Sequence, residues 1–534
     1  MDRLQLIGRR GPLARHLADL AVAGAILVMA LLQLRTILAL PVHHDIAWPL
    51  TIARALRGGA RLYADIIEVH PPLVIFLAAA ANRLGDVLHV TDATAYHLLA
   101  FGAALVSLAL SAQLWPRALP RGADHERRVL LLVQAFLLFP FVGYNFGQEE
   151  HLVFALGLPY LLAAIATAEG QPPGRAQRCL VGLLGGFGFA FKPLYALMWL
   201  AIELALLTGR GRRGWLRAET ILAAAVLALY AGTVLLLAPE YVRLARWGAA
   251  VYPYFHPTPF RRVLLSADTG LAVVSLLVGG LVARAGRLRR PRLLVAAALA
   301  ASVLVVYLQG KGWAYHWYPT QGLAVLLLAL TGFDLLARLQ TGAIGRVLRP
   351  SLAVALLGAL LLLGSVESAA AQRAHWARLD TAPYYLPQMT GLVQRYGGDG
   401  PIAAFTTTMQ ITFPLVNRTG VPWGLRFSCL WPLPGLYHGA HASGNDFPYH
   451  SPAEMGDFER FFVNAIAADL ARSRPSLLIV DRYPPEPGLE GFRYLAYFLR
   501  DPRIRATLAD YRLLGTFAHR YDVFQRPPAA RPAQ

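Results

Sequence analysis

The sequence predicts an α-helical polytopic membrane protein of about 11 spans, followed by a C-terminal α/β domain outside the bilayer. Three observations predict it. Hydrophobic residues make up 56% of the 534 residues and charged ones only 15%, with a mean hydropathy of +0.45; a soluble domain carries about 25% charged residues. Apolar runs of the length a span needs recur at 17–40, 93–115, 129–144, 150–168, 219–238, 267–285, 293–309, 318–337 and 351–366. Beyond residue 366 those runs shorten, while Pro, Tyr, Trp and Asp become more frequent.

Charge placement sorts the connecting segments. The net charge is +19, and residues 1–366 hold 33 basic groups against 17 acidic ones. Of those 33, 22 are arginines in short segments at 1–16, 116–128, 169–178, 209–217, 284–292 and 338–350. Short Arg-rich loops mark the cytoplasmic side of a membrane protein and do not form a nucleic-acid surface. All six share one side only if 72–88 does not cross and 179–207 crosses twice or not at all. The first is therefore expected to be a juxtamembrane or re-entrant helix. The second is expected to be two short helices hinged at Lys192–Pro193, because proline removes a backbone donor. The N-terminus then lies inside and the C-terminal domain outside. The first apolar run lacks a small-residue cleavage site and is expected to be retained.

Two organisational units follow: a membrane part at 1–366 with an outer loop at 41–92, and a soluble α/β domain at 367–534. Within the latter, Pro401–Thr406 and Ser476–Asp481 read as buried strands, and Ala453–Arg472 and Phe492–Arg500 as helices. The tail Arg526–Gln534 is rich in Pro and Ala and is expected to be disordered. Cys179 and Cys429 are not expected to pair.

The outer segments hold the residues able to do chemistry. Asp45 follows the first span. An acidic group at the dehydrated edge of a bilayer can act as a general base, whereas Asp before a helix is also a common cap; both roles stay open. Gln148, Glu149 and Glu150, beside His151, open a membrane helix. The dipole favours acids there, but this concentration of polar groups at bilayer depth exceeds what capping needs. Lys192 and Lys311 are the only lysines in the chain. Together with His316 they suit a clamp for a phosphate that gains charge as it leaves, as an alternative to snorkelling toward lipid headgroups. Asn417-Arg418-Thr419 weakly matches a glycosylation acceptor pattern. No phosphate-binding Gly loop, serine nucleophile elbow or zinc Cys/His spacing is present.

The segment Glu68-Val69-His70-Pro71-Pro72-Leu73, with Asp45 after the first span, resembles the GT-C superfamily of polytopic glycosyltransferases. Its bacterial protein O-mannosyltransferases and lipid A glycosyltransferases are the nearest types. The likeness implies a GT-C-like membrane domain with a C-terminal periplasmic α/β domain. It also implies inverting transfer of a monosaccharide from a polyprenyl-phosphate donor to a hydroxyl of a periplasmic lipid, glycan or protein. Asp45 would then be catalytic. Lys192, Lys311 and His316 would bind the donor phosphate, and Glu68, His70, Gln148, Glu149 and Glu150 would orient sugar or acceptor. No metal is expected, a divalent cation being optional in the superfamily. High Ala, Leu and Arg usage suggests a bacterial inner membrane. A transporter or flippase of a lipid-linked glycan is the competing reading; it calls for broken helices at the midplane and often repeated halves.

Overall fold

The structure, a computed structural model, describes residues 12–120, 122–210, 217–283, 286–339, 350–379, 381, 385–440, 446–484, 486 and 488–527. The Arg-rich segments at 1–16, 116–128, 209–217, 284–292 and 338–350 lie partly outside these residues, as does most of the tail Arg526–Gln534.

In chain order the helices are α1 (Pro12–Ala39), α2 (His44–Arg57), α3 (Leu73–Leu88), α4 (Asp92–Ala118), α5 (Asp124–Phe136), α6 (Glu149–Ala168), α7 (Arg175–Phe191) and α8 (Ala196–Arg210). There follow α9 (Ala218–Leu237), α10 (Pro239–Val251), α11 (Phe260–Leu264), α12 (Ala267–Ala283), α13 (Arg289–Gln309), α14 (Tyr318–Leu339), α15 (Pro350–Leu379) and α16 (Leu386–Tyr396). Among the described residues, 7 helices are long and apolar enough to cross a membrane: Arg15–Ala39, Asp92–Ala118, Glu149–Ala168, Ala218–Leu237, Arg289–Gln309, Ala314–Ala337 and Leu352–Leu379. Pro193–Thr208 and Ala267–Val282 are apolar but shorter. The expected count of about eleven took nine apolar runs and added two short helices in 179–207 by charge sorting; it included stretches whose helices α5, α7, α8 and α12 have 13, 17, 15 and 17 residues.

The chain divides into two compact units. The first comprises Met1–Leu40, His97–Ala231 and Thr258–Arg373. Here α6 is the central helix, buried along almost its whole length. Helix α7 lies against it because glycines face it: a Cβ on Gly185 would stand 3.0 Å from Tyr160, and one on Gly188 2.8 Å from Leu156. Small residues give membrane helices this close approach. The expected break in 179–207 is present, with α7 ending at Phe191, Lys192 extended (φ −135°), and a 3-10 turn at Pro193–Tyr195.

The apolar run at 129–144 is not one α-helix. After α5 it becomes a π-helix over Leu137–Phe141, which contains Pro140. Wide turns release carbonyls from the α-helical ladder, and side chains take them up: Tyr318 donates to Leu137 O (2.8 Å), His151 Nε2 meets Leu138 O (3.0 Å) and Ser368 donates to Pro140 O (2.5 Å).

The second unit comprises Pro41–Tyr96, Gly232–Pro257 and Ala374–Gln534. The outer loop 41–92 thus groups with the C-terminal region, and residue 366 falls inside the continuous helix α15. Both predicted strands form, as β1 (Ile402–Phe405) and β2 (Leu477–Asp481), parallel and fully buried. A hairpin of β3 (Arg512–Phe517) and β4 (Tyr521–Gln525), absent from the sequence reading, completes a sheet of order β1-β2-β4-β3. Arg520 at its turn donates to both Asp481 oxygens at 2.8 and 2.7 Å. The helix expected over Ala453–Arg472 runs over Asp457–Ser473, and that expected over Phe492–Arg500 is a single turn, Tyr494–Phe498. The two cysteines are free.

Candidate active site

In the first unit the polar groups gather where α6 begins. Gln148 is the N-cap residue of α6, but its side chain bonds instead to Asn145 Oδ1 (3.1 Å). Glu149 and Glu150 occupy the first turn. Glu150 is only 1% exposed, and Lys192 Nζ donates to its Oε1. His316 Nε2 lies 3.8 Å from the same oxygen. The break after α7 positions this lysine, since the chain leaves the helix at Lys192 before Pro193 can extend it. His151 serves the backbone instead. Its Nδ1 accepts from Gly147 N–H (3.1 Å) while Nε2 meets Leu138 O, so both ring nitrogens are engaged by main-chain groups.

The segment between α13 and α14 supplies the rest of the group. Gly310 and Gly312 adopt φ +67° and +57°, turning the chain sharply around Lys311. Lys311 is buried, with Nζ 5.5 Å from the centroid of Trp313; burial lowers its pKa to about 8. Trp313, Tyr315 and His316 contact one another ring to ring, and Lys192 Nζ lies 5.5 Å from the Tyr315 centroid. Three of the expected phosphate-binding residues and Glu150 therefore belong to one aromatic-lined group. The sequence reading missed Tyr195, which is fully buried and donates to His316 O (3.3 Å). Its place three residues after the unusual Lys192 was the available signal. Glu150 emerges as the holder of Lys192, and its Oε2 has no hydrogen-bond partner among the described residues.

In the second unit, Asp45 and Glu68 have different surroundings. Asp45 is not the cap of α2. That helix starts one residue earlier, at His44, and His43 caps it by accepting the Asp45 N–H on Nδ1 (3.0 Å). An imidazole can take this role because a neutral ring nitrogen is an acceptor. Burial, reinforced by the adjacent His44, keeps the pKa of His43 well below the ordinary histidine value. The Asp45 carboxylate lies 3.7 Å from His43 Nδ1 and 3.5 Å from His44 Nε2, and is 32% exposed.

Glu68 is buried and saturated. Its Oε1 accepts from Val69 N–H (2.7 Å), His70 N–H (2.9 Å) and His70 Nδ1 (2.7 Å), while Oε2 accepts from Trp48 Nε1 (2.5 Å). Burial acts to raise its pKa, but His70 and these hydrogen bonds prevail and hold it below the ordinary carboxylate value. Tyr63 donates to His70 O (2.8 Å), and Ile67 N–H bonds to Arg426 O (2.8 Å). The Glu68–Leu73 segment is thus a locked turn tied to α2 through Trp48. Asn417 is also engaged within the fold, donating to Ala47 O (3.0 Å) and Thr51 Oγ1 (3.2 Å).

No protein-family model matches the chain, and no curated protein matches its sequence. Solved structures do match. The crystal structure of ArnT from Cupriavidus metallidurans bound to undecaprenyl phosphate aligns with TM-score 0.57 at 14% identity, over 97% of this chain and 100% of that one. The same protein in the apo state aligns with TM-score 0.50 at 14% identity, with the same coverage. Archaeal oligosaccharyltransferase AglB from Archaeoglobus fulgidus, in complex with an inhibitory peptide and a dolichol-phosphate, aligns over 92% of this chain and 72% of that one at 12% identity. Its TM-score of 0.44 is too low to bear on the fold. A helical membrane region and small C-terminal sheet that follow ArnT from end to end give the chain a fold similar to that structure's.

Proposed function

We propose that this chain is a membrane glycosyltransferase that moves a monosaccharide from a polyprenyl-phosphate donor to a hydroxyl of a lipid, glycan or protein acceptor, with inversion at the anomeric carbon. The observation that carries the reading is the end-to-end likeness to a structure solved with undecaprenyl phosphate. The Lys192–Glu150–His316 group with Lys311 supports it, because partly or fully buried cations beside aromatic rings suit a phosphate at the end of an apolar lipid.

In the proposed step the acceptor oxygen attacks the anomeric carbon from the face opposite the phosphate. The bond between that carbon and the phosphate oxygen breaks, and polyprenyl phosphate leaves carrying the bonding pair. Asp45 takes the hydroxyl proton. Lys192, Lys311 and His316 stabilise the charge gained by the phosphate, which contributes only to the extent that it is stronger in the transition state. Glu150 holds Lys192 in place, while Gln148 and Glu149 face the sugar. Glu68 and His70 act through the turn they lock. The reading places the protein in a bacterial inner membrane, with the N-terminus cytoplasmic and the second unit periplasmic, following its arginine distribution.

The test is to mix purified protein with a panel of polyprenyl-phosphate sugars and envelope extract, and to measure free polyprenyl phosphate. Consumption of one donor, abolished by Asp45→Asn, is the expected result. A broad panel left intact, with and without extract, overturns the proposal.

A further inference from the structure

We propose that residues 252–257, between α10 and α11, form a strap that is fastened within the second unit while Glu486, beneath His256, is protonated, and is released when Glu486 ionises. Three contacts dock this segment onto the C-terminal region of that unit. At its start, Gly435 packs so closely on Val251 that a Cβ there would collide with it. In the middle, Tyr254 stacks on His438 with ring centroids 3.8 Å apart, and Tyr252 meets Trp431 edge-on at 5.9 Å. Near its end, His256 places Nε2 3.3 Å from Glu486 Oε1. His256 also takes φ +43°, a conformation uncommon outside glycine and kept only where the surroundings enforce it.

Only the last contact ends on a buried ionisable group. The Glu486 side chain is fully buried, whereas that of His256 is 35% exposed. Thr407 donates to Glu486 Oε2, and Tyr494 bonds to the same threonine hydroxyl (2.8 Å). Oε1 is buried with no hydrogen bond among the described residues, and His256 is the one ion-pair partner of Glu486 found there. Two charged groups act on it from the sheet. Asp481 disfavours its ionisation; Arg520 favours it, but already donates to both Asp481 oxygens. Tyr494 and Cys429 also interact with it and are kept neutral by burial. Desolvation therefore prevails and raises the Glu486 pKa to about 7.

A protonated Glu486 needs no counter-charge under the strap, and its hydroxyl can donate to His256 Nε2. An ionised Glu486 is a buried carboxylate served by one threonine, and lifting the strap lets water reach it. A carboxyl whose pKa stands above the ordinary value of about 4.3 favours closure fully below that value. This contribution is lost as pH rises through about 7.

The test does not depend on glycosyl transfer. Hydrogen–deuterium exchange of the full-length protein in detergent is followed at pH 5 and pH 8, with each rate corrected for intrinsic exchange. Protection of peptides covering 252–257 should fall by about tenfold or more from pH 5 to pH 8, while β2 stays protected at both. Glu486→Gln keeps the shape of the protonated acid and should hold the strap at its wild-type pH 5 protection throughout. His438→Phe keeps the stack on Tyr254 without a titrating ring and should retain the wild-type fall. Equal protection of the wild-type strap at the two pH values overturns the proposal. So does a strap in Glu486→Gln that still responds to pH or stays open at both values, or a fall abolished by His438→Phe. A matching loss of protection in β2 would mark unfolding of the whole region and overturns it as well.

Discussion

Two helix beginnings in this protein carry nearly the same local chemistry and reach different states. Helix α2 begins with His43-His44-Asp45 and α6 with Glu149-Glu150-His151, so each places an acid and a histidine in a positive first turn. At α6 the acid is buried and paired with Lys192, 42 residues away in sequence. At α2 the acid is 32% exposed and, among the described residues, its carboxylate has ion-pair contacts with imidazoles only. The histidines differ as well: His151 is spent on backbone groups, whereas the His44 and Asp45 side chains stay within reach of each other. A carboxylate with a committed cation is part of the scaffold, and one without is available for proton transfer or a ligand.

The largest effect should come from Asp45→Asn, which keeps size and shape but removes the base. Turnover should fall about 10²–10⁴-fold, with donor binding and melting temperature held near wild type. A variant that stays active would mean that the exposed carboxylate is not the base. Next comes Lys192→Met, which leaves Glu150 buried and uncompensated. Unfolding in denaturant should show a loss of about 3–5 kcal/mol, partly restored by adding Glu150→Gln. A double variant no more stable than Lys192→Met would show that the pair is not coupled.

Glu68→Gln should cost about 1–3 kcal/mol, since an amide cannot serve all the donors that Glu68 satisfies. The pH dependence has a definite sign. A carboxylate held below its ordinary pKa stabilises the fold above its unfolded pKa of about 4.3 and loses that contribution as pH falls through the folded value. Acid unfolding of wild type should therefore contain a component missing from Glu68→Gln. The smallest effect concerns Lys311. With its pKa lowered to about 8, the ammonium loses charge as pH rises through that value. Donor affinity should weaken severalfold between pH 7 and 9, and Lys311→Arg should flatten the profile, because guanidinium stays charged.

Much of this architecture was legible in the residues. Apolar runs located the long helices, Pro193 marked the break after Lys192, and SLLIVD marked β2. The rarity of lysine singled out the two cations that join one aromatic-lined group. Other features were not legible, each for a physical reason. The β3–β4 hairpin has a half-exposed strand with a bulge near Gly515, so no clean alternation announces it. The π-helix over Leu137–Phe141 is stabilised by Tyr318, His151 and Ser368, and no local pattern encodes partners so remote. Asp is the common choice for a cap, which made Asp45 the natural candidate at α2, but the buried His43 ring fills that position.

By itself, the sequence determined that this chain lies in a membrane, which stretches are helical and which residues could do chemistry, because hydropathy, proline and charge act locally along the backbone. Tertiary structure alone decided which ionisable groups are committed and which remain available. Glu68 is saturated by Trp48 and its own turn, Glu150 is neutralised by Lys192, and Asp45 is left among imidazoles. The reactivity of a carboxylate depends on its hydrogen-bond donors and the charges within a few ångströms, and folding brings those from distant parts of the chain.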